Sequence, residues 1–388
     1  MRFKQYDTNW DRKKLSDYVK KITRKNSNNV IKNVICNSAQ NGLIPQLDFF
    51  DKEIANNENT AGYYIISNGD FVYNPRKSLS APYGPVNIYK YDSDGIVSPL
   101  YLCFSVDDCI NKSFLLQRFK SPCWYRYIYL NGDSGARHDR VSIKDEVFLS
   151  QPINIPNAEE QAVIAEFLEK IDERISVQNK IISDLKVLKK ELCNRYFKSF
   201  HNDMSLGYIT LKDILTERKE YCSKDGTYTH GTLSKEGVSP KTERYDRDFL
   251  VKNEDKQYKV THFNDICYNP ANLKFGVICR NTYGDLIFSP IYVTFEIADT
   301  VYPAYIELFL TNANFIGRIR RYEQGTVYER MAVSSEDFLS YETRMPTYEE
   351  QVKFADKIQR IQDKIELETS FLNYLQKQRK YLLNAMFI

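Results

Sequence analysis

The chain has 388 residues, more than one ordinary hydrophobic core holds, and this length predicts at least two domains. Its 42% apolar and 27% charged residues are typical of a soluble globular protein, and a net charge of +3 does not by itself indicate nucleic acid. The cysteines form no CxxC pair, no His and Cys cluster has zinc spacing, and no apolar run reaches the ~20 residues of a membrane span. We therefore expect no signal peptide, no metal, reduced thiols and a cytoplasmic protein.

The first globular segment, residues 1–155, contains two basic stretches. Residues 1–25 hold nine Lys or Arg against three Asp, and residues 112–144 hold seven basic residues against two acidic ones. A basic run is usually a solvated face, so a DNA-binding surface is only one of two interpretations here.

A long helix is predicted over residues 156–198. Asn157 stands where an N-cap belongs, Glu160 three residues later is the expected capping-box partner, and Pro156 lies just outside. Acidic residues are concentrated in the first turn and basic ones near the end, as the helix dipole favours.

The same pattern returns after a second globular segment, residues 199–345. The predicted helix over residues 346–388 aligns with the first one at an offset of 190 residues without gaps, and both contain Glu-Glu-Gln shortly after the proline. Thr347 and Glu350 are the predicted cap and capping-box partner. The chain is therefore a tandem repeat of a globular segment followed by a long helix.

Each predicted helix carries an apolar seam with heptad spacing. The seam residues are Ile164, Leu168, Ile171, Ile175, Ile182, Leu185, Leu192 and Tyr196 in the first helix, and Phe354, Ile358, Ile361, Ile365, Leu372, Leu375, Leu382 and Met386 in the second. Polar residues interrupt both seams at equivalent positions, Gln178 and Lys189 against Glu368 and Arg379. Duplicated seams with duplicated interruptions predict two helices that pair with each other; two independent surface helices are the alternative.

The globular segments also repeat short motifs. Leu15–Asp17 resembles Leu211–Asp213, Gly69–Pro75 resembles Asn264–Pro270, Ser98–Tyr101 resembles Ser289–Tyr292, and Gly135–Val141 resembles Gly325–Met331. Between these motifs the two copies diverge. The segments mix short β-rich runs with turns and short helical patterns, which predicts a mixed α+β fold.

The whole layout resembles the specificity subunit of type I restriction–modification enzymes. The motif that carries the likeness is Pro-x-x-x-Glu-Gln followed by a long helix that ends in Lys-Lys-x-Leu-x-x-x-x-Phe. It occurs here as Pro156, Glu160, Gln161 and Lys189–Phe197, and again as Pro346, Glu350, Gln351, Arg379, Lys380, Leu382 and Phe387. The second copy departs from the motif in having Arg379 in place of the first lysine.

The resemblance implies a fold and a set of partners. Two similar target-recognition domains would each read half of a split DNA sequence, and the two long helices would pair as an antiparallel coiled coil with pseudo-twofold symmetry. Two methyltransferase subunits would dock on the chain, and a motor-nuclease subunit would join in some assemblies. The chain itself would be non-catalytic and without a cofactor, and S-adenosylmethionine would be bound by the partner methyltransferase.

Candidate DNA-binding residues are basic or polar side chains in the repeated loops, because Lys and Arg bind phosphates and Arg, Lys, Asn and Gln read base edges. In the first segment they are Arg76, Lys77, Arg137, His138 and Arg140; in the second they are Lys274, Arg318, Arg320, Arg321, Tyr328 and Arg330. An ordinary turn before a strand is an equally good interpretation of the Gly135 and Gly325 loops, and the Arg318–Arg321 stripe has the spacing of a solvated helix face.

The residues argue against two other classes of protein. A DNA methyltransferase with its own recognition domain would carry an Asn/Asp-Pro-Pro-Tyr/Phe motif, but Asn74-Pro75 and Asn269-Pro270 lack the second proline and the aromatic residue. A coiled-coil scaffold that binds only proteins would explain the helices but not two similar basic segments. The Asn-Pro pairs are better interpreted as turns.

The predicted helix length suits a spacer. The 39 residues from Glu159 to Phe197 span roughly 58 Å at 1.5 Å per residue. Two domains that read the same face of a duplex must lie about one helical turn apart, ~34 Å. A bipartite site with a fixed, unread gap is therefore expected.

Overall fold

The structure is a computed structural model, and it describes residues 2–6, 9–46, 60–132, 139–223, 227–241, 257–323 and 332–387. By backbone contacts the chain divides into two compact units. The first unit consists of Met1–Asn179 and Ser370–Ile388, and the second unit consists of Lys180–Thr369. Each unit therefore contains one part of each long helix.

Mixed α and β structure fills the described residues, in agreement with the predicted fold class. The helices are α1 Lys112–Lys120, α2 Tyr125–Asn131, α3 Asp145–Leu149, α4 Ala158–Asn202, α5 Pro303–Leu310, α6 Ala313–Ile319, α7 Ser335–Leu339 and α8 Tyr348–Met386. The strands of the first unit are β1 Asp11–Lys14, β2 Val19–Lys21, β3 Ile35–Ser38, β4 Gly42–Pro45, β5 Tyr64–Ile66, β6 Phe71–Tyr73, β7 Val86–Ile88, β8 Gly95–Val97, β9 Leu102–Val106 and β10 Pro152–Ile155. Those of the second unit are β11 Ile209–Thr210, β12 Leu215–Glu217, β13 Tyr221–Cys222, β14 Thr229–Ser234, β15 Gly237–Pro240, β16 Tyr258–Thr261, β17 Ile266–Tyr268, β18 Ile278–Arg280, β19 Leu286–Phe288, β20 Val293–Ile297 and β21 Glu342–Thr343.

The central sheet of the first unit has four antiparallel strands in the order β2-β9-β6-β7. Its core is aromatic: the Tyr73 ring stacks on Phe148 with centroids 4.2 Å apart, and Phe71 stacks on Phe104 at 5.5 Å. Trp124 is fully buried against the same group. Each of these large rings removes much apolar area from water, and its burial stabilises the unit.

The second unit repeats this sheet in the order β12-β20-β17-β18. The Tyr268 ring, which is equivalent to that of Tyr73, stacks on Phe338 with centroids 4.8 Å apart. The two parts of the chain that share sequence motifs therefore fold into sheets of the same topology.

A repeated turn shows why the motifs are shared. Gly69 precedes β6 with φ +89°, and its counterpart Asn264 precedes β17 with φ +73°. Glycine and asparagine are the residues that adopt this left-handed conformation most readily. In each turn the next residue is an aspartate whose carboxylate accepts a backbone amide proton three residues upstream, from Ser67 to Asp70 at 2.7 Å and from His262 to Asp265 at 2.8 Å.

Both predicted helix caps are present, but the predicted capping box forms only in α8. The Thr347 amide donates to the Glu350 carboxylate at 3.0 Å, and the Glu350 amide donates to the Thr347 hydroxyl at 3.4 Å. In α4 the Asn157 side chain accepts the Glu160 amide at 2.9 Å. The Glu160 carboxylate does not complete the box, because it binds Arg2 at 2.5 and 2.6 Å and the Trp10 indole at 3.2 Å. A buried carboxylate is better compensated by a guanidinium than by one amide.

The glutamine of the repeated Glu-Gln motif joins each long helix to its unit. Gln161 is 2% exposed; its side chain accepts the Asn111 amide proton at 2.8 Å and donates to the Pro156 carbonyl at 3.0 Å. Asn111 is the N-cap of α1. Gln351 makes the same two bonds, from the Tyr302 amide at 2.9 Å and to the Pro346 carbonyl at 3.0 Å, and Tyr302 is the N-cap of α5. One glutamine thus satisfies two otherwise unpaired backbone groups in each copy.

In the first unit the start of α4 lies against the end of α8. Ile164, Ala165 and Leu168 form a buried cluster with Leu382, Leu383, Met386 and Phe387. The Arg379 guanidinium, at a predicted seam interruption, forms a salt bridge with Asp172, which also binds Lys120 at 2.9 Å.

In the second unit the end of α4 lies against the start of α8. The Tyr196 ring stacks on Phe354 with centroids 3.6 Å apart, and the Lys189 ammonium donates to the Gln362 side chain at 2.8 Å. Lys189 and Gln362 are the counterparts of Arg379 and Asp172 at the offset of 190 residues, so the same cross-helix contact occurs once in each unit. Within each unit the residue numbers of the paired positions run in opposite directions. None of the predicted seam residues is exposed to solvent.

All eight cysteines lie in the described part of the chain, and none of them forms a disulfide. Among the helices of the described ranges, none is long and apolar enough to cross a membrane.

Candidate nucleic-acid interface

Three of the predicted DNA-binding residues meet in the first unit. The Asn74 side chain accepts the Arg76 amide proton at 3.0 Å, which fixes the turn that follows β6. The strand-like segment after residue 138 then runs antiparallel to this turn: Lys77 donates its amide proton to the Asp139 carbonyl at 2.8 Å, and Arg76 faces Arg140. Residues more than sixty positions apart in the sequence thereby form one basic surface.

This basic surface borders a cleft of about 430 Å³. Arg76 and Lys77 are exposed, Arg140 is half-buried, and none of the three forms an ion pair with an acidic residue in the described ranges. The remaining wall combines the polar residues Asn37, Ser38, Gln40, Asn74, Ser78, Ser80, Ser98 and Tyr101 with the apolar residues Cys36, Ala39, Pro75, Pro85 and Leu100. Unpaired cations beside small polar groups are suited to bind a phosphate backbone.

The Tyr101 hydroxyl, in the wall of this cleft, has a raised pKa. Burial raises the pKa of its hydroxyl, while Arg140 and Arg76 act in the opposite direction. The hydroxyl therefore stays protonated near neutral pH and is available as a hydrogen-bond donor beside the two guanidinium groups.

The equivalent turn of the second unit carries one cation. Lys274 lies in the 3₁₀ helix Pro270–Phe275 after β17, half-buried, with its ammonium 5.3 Å from the centre of the Phe275 ring. The Asn269 side chain accepts the Ala271 amide proton at 3.1 Å, as Asn74 accepts that of Arg76. Because both asparagine side chains cap turns, they are not free to hold a flipped base, which agrees with the interpretation of the Asn-Pro pairs as turns.

The predicted basic stripe of the second unit is divided. Arg318 is half-buried at the end of α6, where it lines a cleft of about 250 Å³ with His201 and Phe197 of α4. Arg320 and Arg321 are exposed in the short 3₁₀ turn that follows, and Arg320 lies 3.6 Å from Glu323. Helix α6 contacts the Pro270–Phe275 helix, which contains Lys274.

Four predicted candidates, Arg137, His138, Tyr328 and Arg330, lie outside the described residues. DNA contact by all eleven candidates stays a prediction. Within the described ranges, no group of three or more His, Cys, Asp or Glu side chains is arranged to hold a metal ion.

Sequence reasoning missed the wall of the first cleft. Asn37, Ser38 and Gln40 belong to the β3–β4 hairpin, whose four-residue strands give only a weak alternating pattern. The sequence signal that could have indicated this hairpin is Gly42, because glycine permits the tight turn of a hairpin. In the structure Gly42 has φ +74°.

Comparison with known proteins connects this geometry to a family. Residues 8–187 match the family described as type I restriction modification DNA specificity domain. This segment of the chain is similar to a type I DNA specificity domain. No curated protein matches it significantly by sequence.

Solved structures show the same fold over nearly the whole chain. The HsdS subunit from Thermoanaerobacter tengcongensis is 14% identical, with 99% of this chain and 98% of that chain covered and a TM-score of 0.51. The type I restriction-modification S subunit from M. genitalium is also 14% identical, with 100% and 99% covered and a TM-score of 0.53. A chain from a structure of type I R-M complex assembly and conformational transition is 12% identical, with 97% of both chains covered and a TM-score of 0.61.

The match over residues 8–187 confirms the predicted role in DNA recognition. It is a DNA-recognition subunit and not an enzyme. DNA is accordingly its first partner.

Proposed function

We propose that each unit of this specificity protein reads one half of a bipartite DNA site and that the two long helices pair as an antiparallel coiled coil which sets the gap. The observation that carries the proposal is the duplication: each unit has the same four-stranded sheet, the same glutamine connection and one part of each helix. A pseudo-twofold arrangement of two reading domains suits a split site, as half-site spacing follows protein geometry. The domains would comprise residues 1–155 and 199–345, with spacer helices over 156–198 and 346–388.

Two methyltransferase subunits would dock on the chain in the cytoplasm, each binding its own S-adenosylmethionine, and a motor-nuclease subunit would join in some assemblies. Exposed apolar side chains on the long helices support such docking. Tyr374 and Tyr381 are each 66% exposed in the first unit, and Leu367 is 62% exposed in the second. Exposed apolar surface of this kind marks protein–protein contacts.

The test is to co-purify the chain with the methyltransferase of the adjacent gene and to sequence the methylated sites. We expect methylation only in the presence of both proteins, at two short sequences separated by a constant unread gap. Methylation by the chain alone, or a single contiguous site, would refute the proposal.

A further inference from the structure

The first unit contains a two-stranded ribbon with an exposed tip that no sequence motif indicated. Strands β3 and β4 pair in register from Ile35 with Pro45 to Ser38 with Gly42, and the tip Ala39–Asn41 is exposed. The Ser38 hydroxyl accepts the amide protons of Gln40 at 3.3 Å and Asn41 at 3.2 Å, which holds the backbone of the tip in one conformation. The side chains of Gln40 and Asn41 extend from this fixed turn.

Buried amides fasten the ribbon to the central sheet. Asn37, 6% exposed, donates from its side chain to the Val72 carbonyl of β6 at 2.7 Å. Asn87 of β7 donates to the Asn37 side chain at 2.7 Å and to the Ser38 carbonyl at 3.1 Å, and Asn74 donates to the Asn37 carbonyl at 3.1 Å. Side chains carried by such a rigid support can discriminate between ligands, because little conformational entropy is lost when they bind.

The second unit carries the equivalent ribbon with a different tip. Strand β14 begins with a parallel pairing of His230 to Ile287, which corresponds to the parallel bridge of Val34 to Ile96 before β3. Strands β14 and β15 then pair up to Ser234 with Gly237, as β3 and β4 pair up to Ser38 with Gly42.

The two tips share their scaffold and differ in their side chains. The Ser234 hydroxyl accepts the Glu236 amide proton at 3.1 Å, the bond that Ser38 makes in the first ribbon. Lys235 and Glu236, both exposed, form the tip in place of Ala39–Asn41. Equal scaffolds with different exposed polar tips are the arrangement expected where each unit reads a different sequence.

Two clefts share residues of the first tip. Ala39 and Gln40 line the cleft of Arg76, Lys77 and Arg140 and also line a second cleft of about 670 Å³, where Lys90 is exposed and the Lys120 ammonium is held by Asp172. A two-stranded ribbon fits the major groove of B-DNA, which is about 12 Å wide. With the tip in the groove, Arg76, Lys77 and Arg140 at one cleft and Lys90 at the other would be available to bind phosphates.

We propose that the tips of these two ribbons are the base-reading elements of the protein, a proposal that rests on the function proposed above. Gln40 and Asn41 recognise an adenine in one half-site, since each amide offers the donor and acceptor pair that matches adenine N6 and N7. Lys235 recognises a guanine in the other half-site through O6 and N7. The cations around the first tip supply affinity without sequence preference.

The experiment selects preferred DNA from a pool of randomised duplexes with the full-length chain at one fixed salt concentration. Wild type is compared with Gln40→Ala, Asn41→Ala and Lys235→Ala. The matched controls are Gln376→Ala and Lys357→Ala, which remove the same side chains from exposed sites on α8. Because all five side chains are exposed, unchanged thermal melting is the expected check of folding.

We expect Gln40→Ala and Asn41→Ala to relax an A·T preference in one half-site by about tenfold or more, and Lys235→Ala to relax a G·C preference in the other half-site. The two controls should select the wild-type sequence. If the wild type selects a bipartite site and the three tip variants select the same one, or if all three alter the same half-site, the ribbon proposal is wrong while the proposed function stands. If the wild type selects no sequence, both proposals are wrong.

Discussion

The glutamine that joins each long helix to its unit offers a direct test of what the repeated Glu-Gln motif is for. Replacing Gln161 by alanine removes the acceptor for the Asn111 amide and the donor for the Pro156 carbonyl, which are bound at 2.8 and 3.0 Å. The site is 2% exposed, so water reaches it poorly. Gln161 lies in the first turn of α4 and Asn111 caps α1, and the substitution therefore weakens the attachment of the helix to the sheet domain.

The expected loss of stability follows from the two backbone groups, the Asn111 amide and the Pro156 carbonyl, that lose their hydrogen-bond partner. Each buried polar group left unsatisfied costs about 1–3 kcal/mol, so Gln161→Ala should lower the free energy of unfolding by about 2–6 kcal/mol. For a unit of this size, that corresponds to a melting temperature lower by about 4–24 °C. Gln351→Ala should cost a similar amount, because Gln351 makes the same pair of bonds to Tyr302 and Pro346.

Thermal and urea unfolding, followed by circular dichroism, measure the effect. Gln376→Ala is the matched control, an exposed glutamine on α8 in the same unit, and it should stay within about 0.5 kcal/mol of wild type. Hydrogen exchange should show faster exchange of the Asn111 amide and of the first turn of α4 in Gln161→Ala. A stability indistinguishable from that of the control would refute the view that the motif is a structural connection.

Three further predictions follow from the charges and the helices. Although burial acts to raise it, Arg379 and Lys120 lower the pKa of Asp172 to about 2 from the ordinary 3.8. Asp172→Asn should therefore have a lower free energy of unfolding than wild type at pH 5–7, and this difference should shrink as the pH falls from about 4 to 2. Urea unfolding at several pH values measures it, and a difference that grows toward low pH would contradict the ion pair. Arg76→Ala and Arg140→Ala should weaken binding to all DNA duplexes alike. Each should also reduce the slope of the logarithm of the DNA association constant against the logarithm of the salt concentration by about 1 for each lost phosphate contact. An unchanged slope in salt-dependent titrations would show that these residues are not in the interface. One heptad inserted into the first long helix should lengthen the gap of the recognised site or abolish binding, and a methylation map with the wild-type gap would exclude the helix as a spacer.

Much of the architecture follows from local sequence patterns. The repeat, the two long helices and their caps at Asn157 and Thr347 depend on interactions between residues a few positions apart, which a sequence displays directly. The same applies to the turns at Gly69 and Asn264, where one residue type is required by the backbone conformation. Helix ends are less well determined: α4 extends to Asn202 instead of ending at 198, because the end of a helix also depends on what packs against it.

Contacts between distant residues were decided only by the tertiary structure. Glu160 looks like a capping-box residue in the sequence, yet its carboxylate binds Arg2, 158 positions away. The meeting of Arg76 with Arg140, and the equivalence of the two ribbons with unlike tips, likewise depend on how the strands pair. The sequence by itself determined that the protein is a duplicated pair of domains and helices, since repetition and periodicity are local properties. The tertiary structure decided which side chains face a common cleft, since strand pairing joins residues whose separation in the chain leaves no periodic trace.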